Sequence, residues 1–365
     1  MKTGFRHVVM VVYDGIENSV FESQVVAPFL QELVVDQTLE VTIVSFERLL
    51  PQKTLLCKKF PAHDRLHLVV AKKLPFFGVI SLQFALWQLI KILKLIGGSE
   101  LQARGPLAGW LVLNVVQKLA SVEIILRGLV PPVLIQARGL AAQEHGYAAK
   151  HCKRGVLCKV KDWVVQNLLH RLEAEVYGYH GIIADTRRFT IEVVSHALKD
   201  YLIAEFRADQ KNIVLATRDI TPRLDAEHVA TWRAKKRSEL GLMQDAHVYV
   251  YSGSFKPWQC ASETIAAAAK LLEQNPRAFF LVLSGDVEQF HAAIKAAKID
   301  ATRCLVTCVP SSRLTEYLSV ADTGFLLREP HVINWVSRPT KMLEYQAVGL
   351  EILHNNTIGC LAKQA

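Results

Sequence analysis

The chain opens on an apolar run, His7-Val-Val-Met-Val-Val-Tyr-Asp14, and a second such run at residues 39–46 follows a helix-length segment at 20–34. Uninterrupted β-branched runs of strand length, interleaved with helical segments, are the pattern of parallel strands buried on both faces. A doubly wound α/β domain is therefore expected. Residues 80–96 read as an apolar helix with Lys91 and Lys94 on one side. The segments Leu101-Gln-Ala-Arg-Gly105 and Ile135-Gln-Ala-Arg-Gly139 then echo each other 34 residues apart. Each reads as a strand-to-helix turn with an arginine, Arg104 or Arg138, at the carboxyl edge of a strand, where α/β sheets bind ligands. Two surface arginines beside tight turns would look the same.

A long amphipathic helix is expected over residues 152–180, short strands at 181–185 and 191–195, and a helix at 197–206. Residues 207–220 are polar, and the pattern places the domain boundary there, giving domains 1–206 and 207–365 with residues 213–216 as a strand of the second. Downstream the beat is regular. Strands at 247–251, 278–283, 304–309 and 324–327 alternate with helices at 261–274, 287–297, 312–320 and 339–348, and a last strand starts at 352. The fold class predicted is α/β, two tandem Rossmann-like domains facing a cleft.

With 365 residues, 51% of them apolar and 21% charged, the chain is neither a disulfide-stapled scaffold nor disordered. Its net charge of +9 is unevenly placed: residues 51–161 hold 17 Lys and Arg against 4 Asp and Glu, an excess of +13. Nucleic acid, an anionic membrane surface or a phosphorylated substrate would each suit such a stretch. Nucleic acid fits least, because Phe76, Phe77, Phe84 and Trp87 sit in an apolar run and not on a polar stacking surface. That charge-free run, residues 74–90, falls short of the ~20 residues a spanning helix needs. The seven cysteines, an odd number, and an amino terminus without a signal-peptide pattern suggest a reduced, cytoplasmic protein. No pair among His145, His151, His170 and His180 has metal-ligand spacing with a supporting carboxylate, and no metal or other cofactor is expected.

In the second domain the Gly253-Ser254 turn and the helix start at Pro339 are candidate anion contacts, because a turn leading into a helix can present backbone N–H groups. Pro339 suits the first helical position. Lys341 and Glu344, three apart, share a helix face. The cation could stabilise a diphosphate and the carboxylate could accept two hydroxyl hydrogen bonds from a ribose; an ordinary ion pair is the alternative.

The segment Arg338-Pro-Thr-Lys-Met-Leu-Glu-Tyr-Gln-Ala-Val-Gly349 resembles the signature of family 4 glycosyltransferases of the GT-B fold. Tyr251-Ser-Gly-Ser254, Leu283-Ser-Gly-Asp286, Tyr317-Leu-Ser-Val-Ala-Asp322 and Gly324-Phe-Leu-Leu-Arg-Glu329 agree with it in order and spacing. In the first domain the segment from Tyr13 to Gln24 and Ala137-Arg-Gly-Leu-Ala-Ala-Gln-Glu144 resemble a bacterial branch of that family, so the likeness covers nearly the whole chain. It implies retaining, metal-independent transfer of a sugar from a nucleotide-diphosphate donor to a glycan or lipid-linked acceptor at the membrane. Gly253, Ser254, Lys256, Arg338, Pro339, Thr340, Lys341 and Glu344 would hold the donor. Asp14, Asn18, Arg104, Arg138 and His145 would face the acceptor, and Arg138, Glu144, Lys341 and Glu344 are the catalytic candidates.

Three departures stand against the family pattern. Val336 occupies the upstream acidic position, Ser254 and Cys260 stand where a basic pair is usual, and the sequence ends 16 residues after Gly349, which suggests a shortened carboxyl terminus. A degraded or regulatory nucleotide-binding protein without turnover is the second expectation.

Overall fold

A computed structural model of the protein describes residues 6–13, 15–16, 21–52, 60–119, 130–151, 155–181, 183–184, 188–217 and 223–362. The chain forms two units, Met1–Asp219 and Ile220–Ala365.

The first unit carries a seven-stranded parallel sheet in the order β3-β2-β1-β4-β5-β6-β7. Its strands are β1 (Arg6–Tyr13), β2 (Leu39–Glu47), β3 (Leu66–Lys72), β4 (Glu100–Arg104), β5 (Val133–Ala137), β6 (Phe189–Val193) and β7 (Ile213–Leu215). The apolar run at the amino terminus is the sheet's centre: Val8, Val9 and Val11 are wholly buried, with Val8 in register with Val41 on one side and Glu100 on the other. Helices α1 (Ala27–Val35), α2 (Val79–Ile96), α3 (Gly105–Leu119), α4 (Ala141–Lys150), α5 (Val156–Tyr177) and α6 (His196–Phe206) make the crossovers. Strand order reverses between β1 and β4, and at such a switch point the carboxyl ends of the two strands leave a crevice. Helix α2 is long and apolar enough to cross a membrane, with a mean hydropathy of 1.6. It is nevertheless the connection from β3 to β4, and it buries Leu82, Ala85, Leu86, Leu89 and Leu93.

The boundary lies further along than residues 206/207. Residues 213–215 are the last strand of the first sheet, not a strand of the second, because Ile213 and Leu215 pair with Ile191 and Val193 of β6. The strand expected at 181–185 is not formed among its described residues: Gly181, Ile183 and Ala184 lie in turns.

The second unit has five parallel strands in the order β10-β9-β8-β11-β12. They are β8 (Val248–Ser252), β9 (Phe279–Leu283), β10 (Cys304–Thr307), β11 (Thr323–Leu326) and β12 (Glu351–His354). Around them lie α7 (Ala226–Glu239), α8 (Ala261–Gln274), α9 (Val287–Ala296), α10 (Leu314–Leu318), α11 (Val332–Trp335), α12 (Thr340–Ala347) and α13 (Gly359–Ala362). Helix α7 has almost no apolar stripe and is held by charge. Asp322, at the amino end of β11, accepts hydrogen bonds from Arg233, from Arg237 at 2.9 Å and from the Val248 N–H at 2.8 Å. Asp322 is thereby a structural residue at the edge opposite the site. The switch point lies between β8 and β11, where the buried Tyr345 ring takes the space a side chain at Gly324 would need, and its hydroxyl bonds both Ser252 N–H (3.1 Å) and Phe325 O (3.3 Å).

Candidate functional site

In the first unit a cavity of about 380 Å³ opens at the β1/β4 switch point. Arg104 and Arg138 enter it from the carboxyl ends of β4 and β5, and Glu144 from the first turn of α4. The two arginines are not equivalent. Arg138 donates to Glu192 at 2.9 Å, and that carboxylate, from β6, is itself buried, so the pair is neutralised internally. Arg104 donates to the backbone and side chain of Gln24 and lies 3.5 Å from Gln136 Oε1. Burial pushes its guanidinium down to about 10, opposed by the charge of Glu192. Burial also raises the Glu144 carboxyl, whose oxygen lies against the Cα of Gly139, so any side chain there would displace it.

Behind the cavity Glu173 of α5 is 1% exposed and burial lifts its carboxyl to about 8. The next turn places Tyr177 beside it, wholly desolvated and raised well above the usual phenol range. At the rim, Glu47 caps the β1 loop. One carboxylate oxygen accepts from Gly15 N–H (3.1 Å), Ile16 N–H (2.9 Å) and Ser45 Oγ (2.5 Å). His145 does not line the cavity; its Nε2 lies 3.5 Å from Asp162 of α5. Asp14 and Asn18 fall outside the described residues.

In the second unit the candidates gather at the carboxyl edge of β8 and β11. Lys341, 7% exposed, donates to Gln259 Oε1 at 2.6 Å, and its ammonium sits 4.0 Å from the centre of the Tyr251 ring. Burial, reinforced by the charge of Arg328, pushes it well below the ordinary lysine range. Arg328 leaves the end of β11, is 8% exposed, and is likewise lowered by burial. Among the described residues neither cation is ion-paired to a carboxylate. Glu344, one turn beyond Lys341, is raised by burial and partly offset by Lys341, and the two do not form the ion pair that their spacing allows. Two desolvated cations and one desolvated carboxyl with open hydrogen-bonding capacity can between them bind an anion and accept hydrogen bonds from hydroxyl groups.

The Gly253 turn works differently from the expectation. Its N–H is not offered to an anion but donated to Leu283 O at 2.9 Å, and the Phe255 N–H goes to Asp286 at 2.7 Å. Gly253 is required for another reason: at φ +135°, a Cβ would lie 2.5 Å from Lys341 Nζ. Ser254 is tied back by Gln259 Nε2 at 3.1 Å, and Lys256 is exposed, with its ammonium 5.1 Å from the Trp258 ring. Pro339 is the residue before the first turn of α12, Thr340 is exposed, and Arg338 is half-buried beside them. Val336 is wholly buried, and an acidic side chain at that position would be desolvated.

Sequence reasoning missed Arg328, Gln259, Glu47, Glu173 and Glu192. The signal for three of them was present: an acid or arginine inside or closing an apolar strand run must have a buried partner or a ligand.

No protein-family model and no curated protein sequence matches this chain. Solved structures match in shape along nearly all of it. The lipopolysaccharide glycosyltransferase WaaG gives a TM-score of 0.61 at 11% identity, covering 98% of this chain and 83% of that one. A glycosyltransferase from Rickettsia africae gives 0.59 at 13% identity, with 98% and 81% covered. Sucrose-phosphate synthase from Thermosynechococcus elongatus gives 0.59 at 13% identity, with 96% and 81% covered. What this chain shares with them is the fold: two Rossmann-like units in tandem, the GT-B architecture.

Proposed function

We propose that the protein is a glycosyltransferase that moves a sugar from a nucleotide-diphosphate donor to a glycan or lipid-linked acceptor, with retention at the anomeric carbon. The observation that carries this reading is the Lys341–Arg328 cation pair, desolvated and without a carboxylate partner among the described residues, with Glu344 one turn away. As the bond between the anomeric carbon and the diphosphate oxygen breaks, negative charge grows on the leaving group. Two fixed cations in a dry site stabilise that charge far better than mobile water does. They occupy the role a metal would otherwise fill. Glu344 would accept hydrogen bonds from the two ribose hydroxyls, and the Arg104/Arg138/Glu144 cavity would take the acceptor. Arg328 supplies the charge that Ser254 and Cys260 do not. The setting this reading implies is cytoplasmic, at the inner face of a membrane.

Transfer or donor hydrolysis by purified protein, with Glu344→Ala as control, tests this; equal rates in both would remove the role given to Glu344. The buried, apolar Val336 favours a second reading, a nucleotide-binding protein without turnover. Calorimetry with UDP and GDP separates the two: binding without turnover supports the second.

A further inference from the structure

Helix α5 carries two apolar stripes on opposite faces. Its carboxyl-terminal half packs Leu169, Leu172 and Val176 into the unit. Its amino-terminal half turns a different set outward: Val156, Leu157, Val160, Trp163 and Val164 are 76%, 87%, 55%, 65% and 51% exposed. At 100° per residue these five span one face, about 120° wide. Lys159 and Lys161, both exposed, fall on its two flanks, while Asp162 lies on the far side, toward His145. Among the described residues nothing in the packing of the unit requires this face to be apolar.

We propose that this face of α5 is the surface on which the protein rests on an anionic lipid bilayer. Lipid fits because the pattern is that of an interfacial helix: aliphatic residues and a tryptophan to enter the headgroup boundary, with lysines on both flanks whose stems follow the apolar surface while the ammonium groups meet lipid phosphates. The charge agrees, since residues 51–161 carry the whole positive excess of the chain. A second patch of the same kind lies in the same helical layer, where α2 packs on α3 and α3 on α5. There Trp87 is 53% exposed with the Lys91 ammonium 3.5 Å from its ring centre, and Ile80 is 70% exposed. The inference deepens the proposed transferase reading, for which a lipid-linked acceptor would be met at that surface.

The test is co-sedimentation of the full chain with vesicles of phosphatidylcholine alone and of phosphatidylcholine mixed with phosphatidylglycerol. Two variants accompany it, Leu157→Gln/Trp163→Gln and Lys159→Glu/Lys161→Glu, with far-ultraviolet circular dichroism to confirm folding. Both change exposed residues only. Wild type should sediment with the anionic vesicles, and the lysine variant should lose about fivefold in partitioning per unit of charge, hence about 25-fold for each lysine reversed to glutamate. The glutamine variant should lose binding at every salt concentration. No sedimentation, equal sedimentation with neutral vesicles, or unchanged binding in both variants overturns the proposal. So does a concentration-dependent dimer that the glutamine variant abolishes, which would give this face to a second copy of the chain. Calorimetry with UDP and GDP on the same preparation keeps the two readings apart. Vesicle binding without nucleotide binding leaves the surface standing and removes the transferase, and the converse removes only the surface.

Discussion

Replacing Lys341 by methionine separates a ligand cation from a structural one, because the two roles predict opposite signs. The side chain is 7% exposed, so its ammonium bears a desolvation penalty of several kcal/mol in the unliganded protein. Against that stand one charged hydrogen bond to Gln259 and the contact with the Tyr251 ring, together about 3–4 kcal/mol. Methionine fills a similar volume, and the Tyr251 hydroxyl, which shares its one proton between Ser254 O at 2.9 Å and Gln259 Oε1 at 3.2 Å, can turn toward Gln259 once the lysine is gone. The unfolding free energy should therefore stay level or rise by up to about 2 kcal/mol. Nucleotide affinity should move the other way, losing the ~1.5–3 kcal/mol of a charge-assisted hydrogen bond, roughly 10- to 150-fold in Kd. The pH dependence has a sign too. With the folded value pushed well below 10.5, the unfolded chain binds the proton more readily, so wild-type stability rises as pH climbs through the folded value toward 10.5. The methionine variant should lack that rise, and nucleotide binding to wild type should take up protons in that range. Urea unfolding at several pH values, with UDP and GDP calorimetry in two buffers, measures all of this. A variant that is several kcal/mol less stable yet binds nucleotide as before would refute the reasoning.

Gly253→Ala should lower stability by about 1–2 kcal/mol, from a strained φ and the contact with Lys341, and should weaken nucleotide binding through displacement of that lysine; thermal unfolding and calorimetry check both. Arg138→Met leaves Glu192 charged and buried, a loss of about 3–5 kcal/mol, and adding Glu192→Gln should recover more than half of it in urea titrations. Glu173 has a folded value near 8 against an ordinary 4.5, so its contribution is greatest below 4.5 and fades as pH rises toward 8. Glu173→Gln should flatten that part of the stability profile, worth up to about 5 kcal/mol, and a profile that stays unchanged would show that the carboxyl titrates normally.

The two sheets were legible because their central strands are long apolar runs: β1, β2, β8 and β9 lie where periodicity places them, and so do the arginine turns after β4 and β5. The edges were not. Strand β3 has polar or half-exposed residues at most positions, so it leaves no apolar signature, and β7, legible as a strand, is three residues long with Val214 and Leu215 45% and 39% exposed, so nothing in it shows which sheet it joins. The boundary error follows from that. In the site, the helix from Thr340 displayed Lys341 and Glu344 plainly, but Arg328 needed the rule already applied to Arg104 and Arg138, an arginine closing a buried strand. Gln259 gave no signal at all, since its role depends on a turn that brings it back over Gly253.

Strand β7 has a practical consequence for anyone handling the first unit alone. It covers the outer edge of β6, where Ala216 N–H also reaches Val193 O at 2.8 Å. A fragment cut at Phe206 would keep helices α1–α6 and expose an unprotected edge whose Phe189, Ile191 and Val193 are otherwise buried. Open parallel edges of this kind template the addition of further chains. Eleven residues of apparent linker thus act as a seal against self-association, and a fragment extended through Thr217 should stay monomeric where the shorter one assembles.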